Sequence, residues 1–205
     1  SYVMKDLPLL NQIFAMNVAE TASTFAETIV SNATVKNAKT IEEKIMLFDS
    51  KMQNAIAMFL NIHARFICEE SFYDERSKGI VSQKRINELM VNAQKEAYGD
   101  SLASYHPSFW CSKLHFYIDE VPFYNFPYTF GFLFALGIYA KYVKNPEGFE
   151  DNYIALLRDT GSMKVEDLAM KHLKVDITKQ DFWEAGIILM EKDVEEFISL
   201  TNELT

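Results

Sequence analysis

The sequence is short of the residues that interrupt helices, with 7 Gly and 5 Pro in 205 positions. No window combines strict alternation with β-branched enrichment, so an all-β fold is excluded. Two cysteines, Cys68 and Cys111, cannot build a disulfide framework. They read as free thiols of a reducing, cytoplasmic compartment. Positive charge is scarce as well: 20 Lys and Arg, only four of them Arg, stand against 29 Asp and Glu, for a net charge of −9. A chain of that sign neutralises phosphates poorly, so neither nucleic acid nor an anionic membrane is an expected partner. The longest apolar run, Phe130 to Ala140 (FGFLFALGIYA), falls well short of the roughly 20 residues of a membrane span and predicts a buried core helix. The N-terminal SYVMKDLPLL lacks the basic-then-apolar order of a signal peptide. It also lacks an initiator Met, which allows the chain to be a piece of something longer.

Self-contained catalytic motifs are missing too. There is no glycine-rich phosphate loop, no Cys pair at zinc-ribbon spacing and no Gly-x-Ser-x-Gly elbow. His63, His106, His115 and His172 are spaced so that neither H-E-x-x-H nor Glu-x-x-His occurs. His63, His106 and His172 are expected to be satisfied packing residues rather than ligands.

What remains is apolar in 49% of positions and aromatic in 14%, enough to fill a core and too much for a disordered tail. Long periodic segments predict an all-α protein, one multi-helix domain over residues 1–205. A first helix is expected from about Leu9 to Asn32, with Leu10, Phe14, Val18, Phe25 and Ile29 as its apolar stripe. Thr40 and Glu43 form a capping box for a long second helix through Ile45, Phe48, Met52, Ile56, Phe59 and His63, fading near YDERSKG. Ser82 to Tyr98 is expected to be a helix closed by Gly99. The segment DSLASYHPSFW should be irregular around Pro107. An aromatic helix should end at Asn145-Pro146, and further helices are expected at Glu147 to Thr160 and Val165 to His172. Thr178 and Asp181 should cap a last helix whose Trp183, Ile187, Met190, Val194, Phe197 and Ile198 share a face.

Two segments carry polar groups where a core is expected. In AETASTFAE (19–27), Glu20 and Glu27 are seven residues apart and so project from one helix face, with Ser23 and Thr24 between them and Ile13 extending that face. This stripe is either a solvated face with back-bonded hydroxyls or part of a site. In HFYIDEVPFYNFPYTFG (115–131), His115, Tyr117, Tyr124 and Tyr128 place hydrogen-bonding tips among apolar neighbours, and Pro122 and Pro127 interrupt regular helix. The group is either an aromatic core with satisfied tips or a donor set for a carbonyl or oxyanion.

These two segments, with the long acidic helices between them, the Gly161-Ser162 break and LAMKHLKVD near the end, strongly resemble the C-terminal part of the oligoendopeptidase F group, relatives of thimet oligopeptidase. The resemblance covers nearly the whole chain. It implies an almost wholly helical zinc peptidase that cleaves short peptides inside a closed channel. In that family the metal is held by the histidines of H-E-x-x-H and by a glutamate within A-E-x-A-S-T-F, which matches Glu20. Ser23, Thr24 and Glu27 are then groups that hold the ligands in place. His115 matches the histidine that contacts the substrate backbone, and Tyr124 and Tyr128 match tyrosines that donate to the scissile carbonyl oxygen. Spacing leaves open which of the two does so; Tyr128 is preferred, with Tyr124 and Tyr117 holding the peptide.

The departure from the family is the absent H-E-x-x-H helix. Catalytic zinc needs three protein ligands and an open position, and this chain matches one ligand. The expectation is therefore a C-terminal part of a zinc oligoendopeptidase, inactive in isolation and dependent on the upstream N-terminal part. The rival reading is a non-catalytic helical peptide-binding or interaction module.

Overall fold

A computed structural model describes residues 2–203; Ser1, Leu204 and Thr205, the ends of the expected 1–205 domain, lie outside the described residues. Among the described residues there are helices and no strands: α1 Thr21–Asn37, α2 Ile41–Ile56, α3 Ile62–Arg76, α4 Gln83–Ala97, α5 Phe126–Lys144, α6 Phe149–Asp159, α7 Val165–Leu168 and α8 Asp181–Glu203. The protein is all-α. The chain forms two compact units, one of Ser1–Met52 with Phe130–Thr205 and one of Gln53–Thr129. No helix among the described residues is long and apolar enough to cross a membrane.

In the first unit the core gathers around α5. Phe134, Ala135 and Ile138 are fully buried, against Phe25 of α1, Leu156 of α6, Leu168 of α7, Ala169 just after it, and Phe182 of α8. The FGFLFALGIYA run is thus the buried helix that its composition predicts. Helices α5 and α8 approach closely because glycines meet there. A Cβ on Gly186 would lie 2.8 Å from Leu136 Cβ and 3.0 Å from the Gly137 backbone nitrogen. Lys44 and Lys51 of α2 make ion pairs with Glu196 and Asp193 of α8. The capping box at the start of α2 is formed: the Glu43 N–H donates to Thr40 Oγ1 at 3.1 Å. The Glu43 carboxylate reaches back one residue beyond the cap, to the Lys39 N–H at 2.8 Å.

Three helix expectations need correction here. The first helix begins at Thr21, and the chain before it makes short 3₁₀ turns at Leu9–Gln12 and Met16–Val18. The proposed stripe therefore divides: Val18 and Phe25 are buried, whereas Leu10, Phe14 and Ile29 are exposed. Thr178 does not cap α8, because its hydroxyl and its N–H are both turned to Asp176 Oδ1 (2.6 and 3.0 Å). The inner face of α8 is also rotated from the one expected. It carries Phe182, Gly186 and Met190, leaving Ile187, Val194 and Ile198 exposed.

In the second unit α3 packs on α4 through Cys68, Leu89, Met90 and Ala93, with Trp110 and Phe116 against them. Burial, followed by the neighbouring Glu69 charge, pushes the Cys68 thiol up to about 12, so it is an inert core group. Helix α4 starts at Ser82, whose hydroxyl accepts from the Arg85 N–H, and stops before Gly99 in the left-handed conformation. The long second helix is continuous to Arg76 but contains a π-turn at Ala57–Asn61. There the Thr129 hydroxyl donates to the Met58 carbonyl at 2.6 Å, satisfying an acceptor that the widened turn exposes.

Two measurements test this packing. Gly186→Ala should lower stability by about 1–3 kcal/mol despite the better helix propensity of Ala, since the added methyl meets backbone that cannot move aside. An unchanged or raised urea midpoint would contradict the close crossing. At Asp159, burial opposes the charge, but hydrogen bonds from Lys171 (2.5 Å) and His172 (2.8 Å) outweigh it and hold the carboxyl below its ordinary value. A depressed carboxyl stabilises the fold above its unfolded pKa, and that contribution is lost as pH falls through the folded one. The melting-temperature gap between wild type and Asp159→Asn should therefore be present at pH 6, begin to narrow near about pH 4 and close only at lower pH.

Candidate functional site

The segment between α4 and α5 has little regular helix, only short 3₁₀ turns at Phe109–Ser112 and Leu114–Tyr117. From it and the first turn of α5 come three of the four expected tips, gathered in one place. His115 Nε2 lies 3.2 Å from the Tyr128 hydroxyl. The His115 ring stacks on Tyr124 at 6.0 Å and 9°, and Tyr128 stands edge-on to both, with centroids 5.4 and 5.8 Å away. All three are half-buried, the state of a cleft wall rather than of a sealed core. Tyr117 is not part of the cluster. It is exposed and borders a separate apolar cavity of about 320 Å³ with Phe72, Trp110 and Phe116.

What aims Tyr124 is a residue that the sequence reading passed over. Glu69 of α3 is 4% exposed, and its two carboxylate oxygens are divided between two donors. Oε1 accepts from the Phe123 N–H at 2.8 Å, and Oε2 accepts from Asn125 Nδ2 at 2.9 Å. Phe123, between Pro122 and Tyr124, has a φ of 62°, a left-handed conformation that a bulky residue adopts only when its surroundings impose it. Asn125 is fully buried. Phe66 and Tyr73 of α3 pack on the Phe123 ring at 5.9 and 5.1 Å. One carboxylate thus clamps the residues on both sides of Tyr124. The sequence signal was available: a Glu within the apolar run FICEESF lies where helical spacing points it inward.

In the other unit, Glu20 occupies the N-terminal boundary of α1 rather than the middle of a helix. The Ser23 hydroxyl lies 3.2 Å from Glu20 Oε2 and 3.0 Å from its carbonyl oxygen. The Thr24 hydroxyl donates to the Glu20 carbonyl at 2.6 Å and lies 3.1 Å from that of Gly131. Gly131 allows this approach, since a Cβ there would come within 2.9 Å of Glu20 Cβ. The expected polar stripe is therefore divided. Thr21, Thr24 and Thr28 are buried against the core, while Ser23 and Glu27 face outward. Among the described residues no three His, Cys, Asp or Glu side chains converge as metal donors. Of the other histidines, His172 is satisfied by Asp159, whereas His63 and His106 are exposed, against the expectation of packing roles.

The arrangement of helices is shared with helical peptidases. A solved structure from Chlamydophila abortus assigned as a peptidase superposes with a TM-score of 0.81 at 22% identity, covering 98% of this chain and 34% of that one. Oligoendopeptidase-F from Enterococcus faecium superposes with a TM-score of 0.76 at 21% identity, covering 95% of this chain and 37% of that one. An oligoendopeptidase F homologue of Borreliella burgdorferi is 26% identical over 201 residues, 95% of this chain and 33% of its own length. The sequence model of peptidase family M3 matches residues 8–189. The chain belongs to peptidase family M3. It spans about a third of the length of the relatives it matches.

If Glu69 is the clamp, Glu69→Leu leaves two buried donors unmet and should cost about 2 kcal/mol or more, whereas Glu69→Gln keeps one acceptor oxygen and should lose about half as much. Urea unfolding measures the ranking, and the His115 ring proton signals should move in the Leu variant. Equal stability of the two variants would remove Glu69 from this role.

Proposed function

We propose that this chain is the C-terminal part of the catalytic domain of a zinc-dependent oligoendopeptidase, hydrolysing short peptides together with an upstream part. The observation that carries the reading is the cluster of His115, Tyr124 and Tyr128. Two phenols and an imidazole on a half-buried wall suit a peptide whose carbonyl oxygen gains charge during attack. In this reading Tyr128 is the oxyanion donor. With Nε2 protonated, His115 donates to the Tyr128 oxygen, and Tyr128 turns its own proton to the substrate carbonyl. Tyr124 supports the peptide beside it, and Tyr117 contributes further along the same segment.

Glu20 would supply one carboxylate to the metal, with Ser23 fixing its orientation, Thr24 anchoring its backbone and Glu27 close to the incoming ligands. Catalytic zinc sites take three protein ligands, so this chain alone does not make one; the other two would be the histidines of an upstream H-E-x-x-H helix. Zinc, when bound, supplies a Lewis acid and a bound water of lowered pKa. The exposed apolar residues Leu9, Leu10 and Ile13 also support a covering upstream part.

The isolated chain should not cleave a quenched fluorescent oligopeptide with zinc added, and the chain joined to its upstream part should. In the joined enzyme Tyr128→Phe should lower kcat by about 10²–10³, equivalent to about 2.7–4 kcal/mol, with little change in KM. A collapse with Tyr124→Phe and not with Tyr128→Phe would exchange the two roles. An upstream sequence without H-E-x-x-H would favour the non-catalytic peptide-binding module instead.

A further inference from the structure

Two cations in the second unit share one aromatic ring. Arg65 of α3 and Lys113, just before His115, both lie over the Phe109 ring, with Cζ 5.7 Å and Nζ 4.5 Å from its centre. In a chain of net charge −9, each of them would be expected to meet a carboxylate. Neither takes part in any ion pair found among the described residues. Arg65 donates one Nη2 hydrogen bond, at 2.6 Å, to the neutral Asn61 side chain. Its Nε is buried without a hydrogen-bond partner. A guanidinium carries five donors in a planar fork that matches a carboxylate, and leaving a buried one unused is costly.

The electrostatics agree with the geometry. Burial holds the Arg65 guanidinium below its ordinary value, and the hydroxyls that pull the other way belong to Tyr128 and Tyr98. Burial, and then the Arg65 charge itself, lowers Lys113 as well. Each cation is therefore under-compensated by the protein around it, and Lys113 stands two residues before His115, whose ring lies 3.2 Å from the Tyr128 hydroxyl. An anion bound here would relieve both.

We infer that Arg65 and Lys113 form a carboxylate-binding subsite beside the His115–Tyr128 pair, which engages a carboxylate of the peptide substrate. The inference rests on the proposed peptide site but concerns only how the peptide is read. A short peptide offers such a group at its C-terminus or on an Asp or Glu side chain, and the two sources can be separated. A long folded substrate would offer its C-terminus there only rarely, so a C-terminal source would also favour short chains.

The test is binding, with hydrolysis recorded separately. Fluorescein-labelled hexapeptides of one sequence are titrated into the full-length enzyme by anisotropy: a free acid, its C-terminal amide, and a pair of amides with Glu or Gln at one internal position. The free acid should bind about tenfold more tightly than the amide if the terminal carboxylate is the ligand. If a side chain is the ligand, the Glu amide should exceed the Gln amide by a similar factor. Whichever ratio is found should collapse toward one in Arg65→Met and in Lys113→Met. Thermal melting of the Lys113→Met chain should be unchanged or raised, since a mutually repelling charge has been removed. A purely structural cation would show the opposite. Ratios near one in the wild type mean that a carboxylate of the protein itself meets these cations, and overturn the inference. So do ratios that persist in both variants. Loss of all peptide hydrolysis with the binding ratios intact would count against the peptidase reading and leave the subsite standing.

Discussion

The first unit depends on the burial of α5. Its middle has no polar side chain from Phe130 to Leu136, and Phe134, Ala135 and Ile138 contact no solvent. Such a helix is stable only when covered on all sides, which here requires α1, α6, the α7 turn and α8 together. Phe134 and Ile138 together remove several kcal/mol of apolar surface from water. Close packing then dictates where side chains must be absent. Gly137 and Gly186 remove the Cβ atoms at the crossing with α8, and Gly131 removes the one that would meet Glu20. The position of the Glu20 backbone is thus set by a core constraint, and its carboxylate is held by Ser23 on the outward side.

The second unit solves a different problem: fixing side chains on chain that is not helical. From Gly99 to Asn125 the backbone lacks the repetitive hydrogen bonds that make a helix rigid, so other groups must supply them. Glu69 does so at Phe123 and Asn125, Gln94 holds the His106 carbonyl at 3.1 Å, and Asn87 holds the Trp110 indole at 2.8 Å. All three come from α3 or α4, which are regular and packed. Functional side chains on irregular segments backed by rigid helices combine reach with order. A buried carboxylate without partners would be costly, and this one is offset by two donors taken from the segment it restrains.

Much of the helical plan was legible because it rests on local chemistry. The capping box at Thr40, Gly99 and the Asn145-Pro146 stop each act within a few residues, and all three lie at observed helix ends. The first helix was misread because Leu10 and Phe14 obey helical spacing without packing on the core. Periodicity reports a pattern, not a partner. On α8 two apolar faces coexist, and the inward one carries Gly186, whose lack of a side chain admits the close approach of α5; hydrophobicity alone gives a glycine no weight. In AETASTFAE Thr24 reads as polar, yet it and Thr28, just after the segment, return their hydroxyls to backbone carbonyls and are buried. His115, Tyr124 and Tyr128 were singled out by type and spacing, but the stacking that joins them needs the left-handed turn at Phe123, which no local pattern announces. Helical spacing marks Glu69 as inward-facing, but the roles of Glu69 and Arg65 are not legible, for a related reason. They sit four apart on an ordinary charged helix, and only tertiary structure shows that one is clamped and the other unmet.

That contrast between neighbours on α3 shows one helix using its two charges in different ways. Glu69 has both oxygens engaged and is nearly sealed from solvent, so its charge is used within the fold. Arg65, one turn earlier, could have paired with it at i,i+4, a geometry worth a few tenths of a kcal/mol. The carboxylate is instead committed to the Phe123 turn, and the guanidinium is left over the Phe109 ring with a hydrogen bond to Asn61. The strained turn therefore has two consequences. It sets Tyr124 against His115, and by occupying Glu69 it withholds from Arg65 the carboxylate one helical turn away.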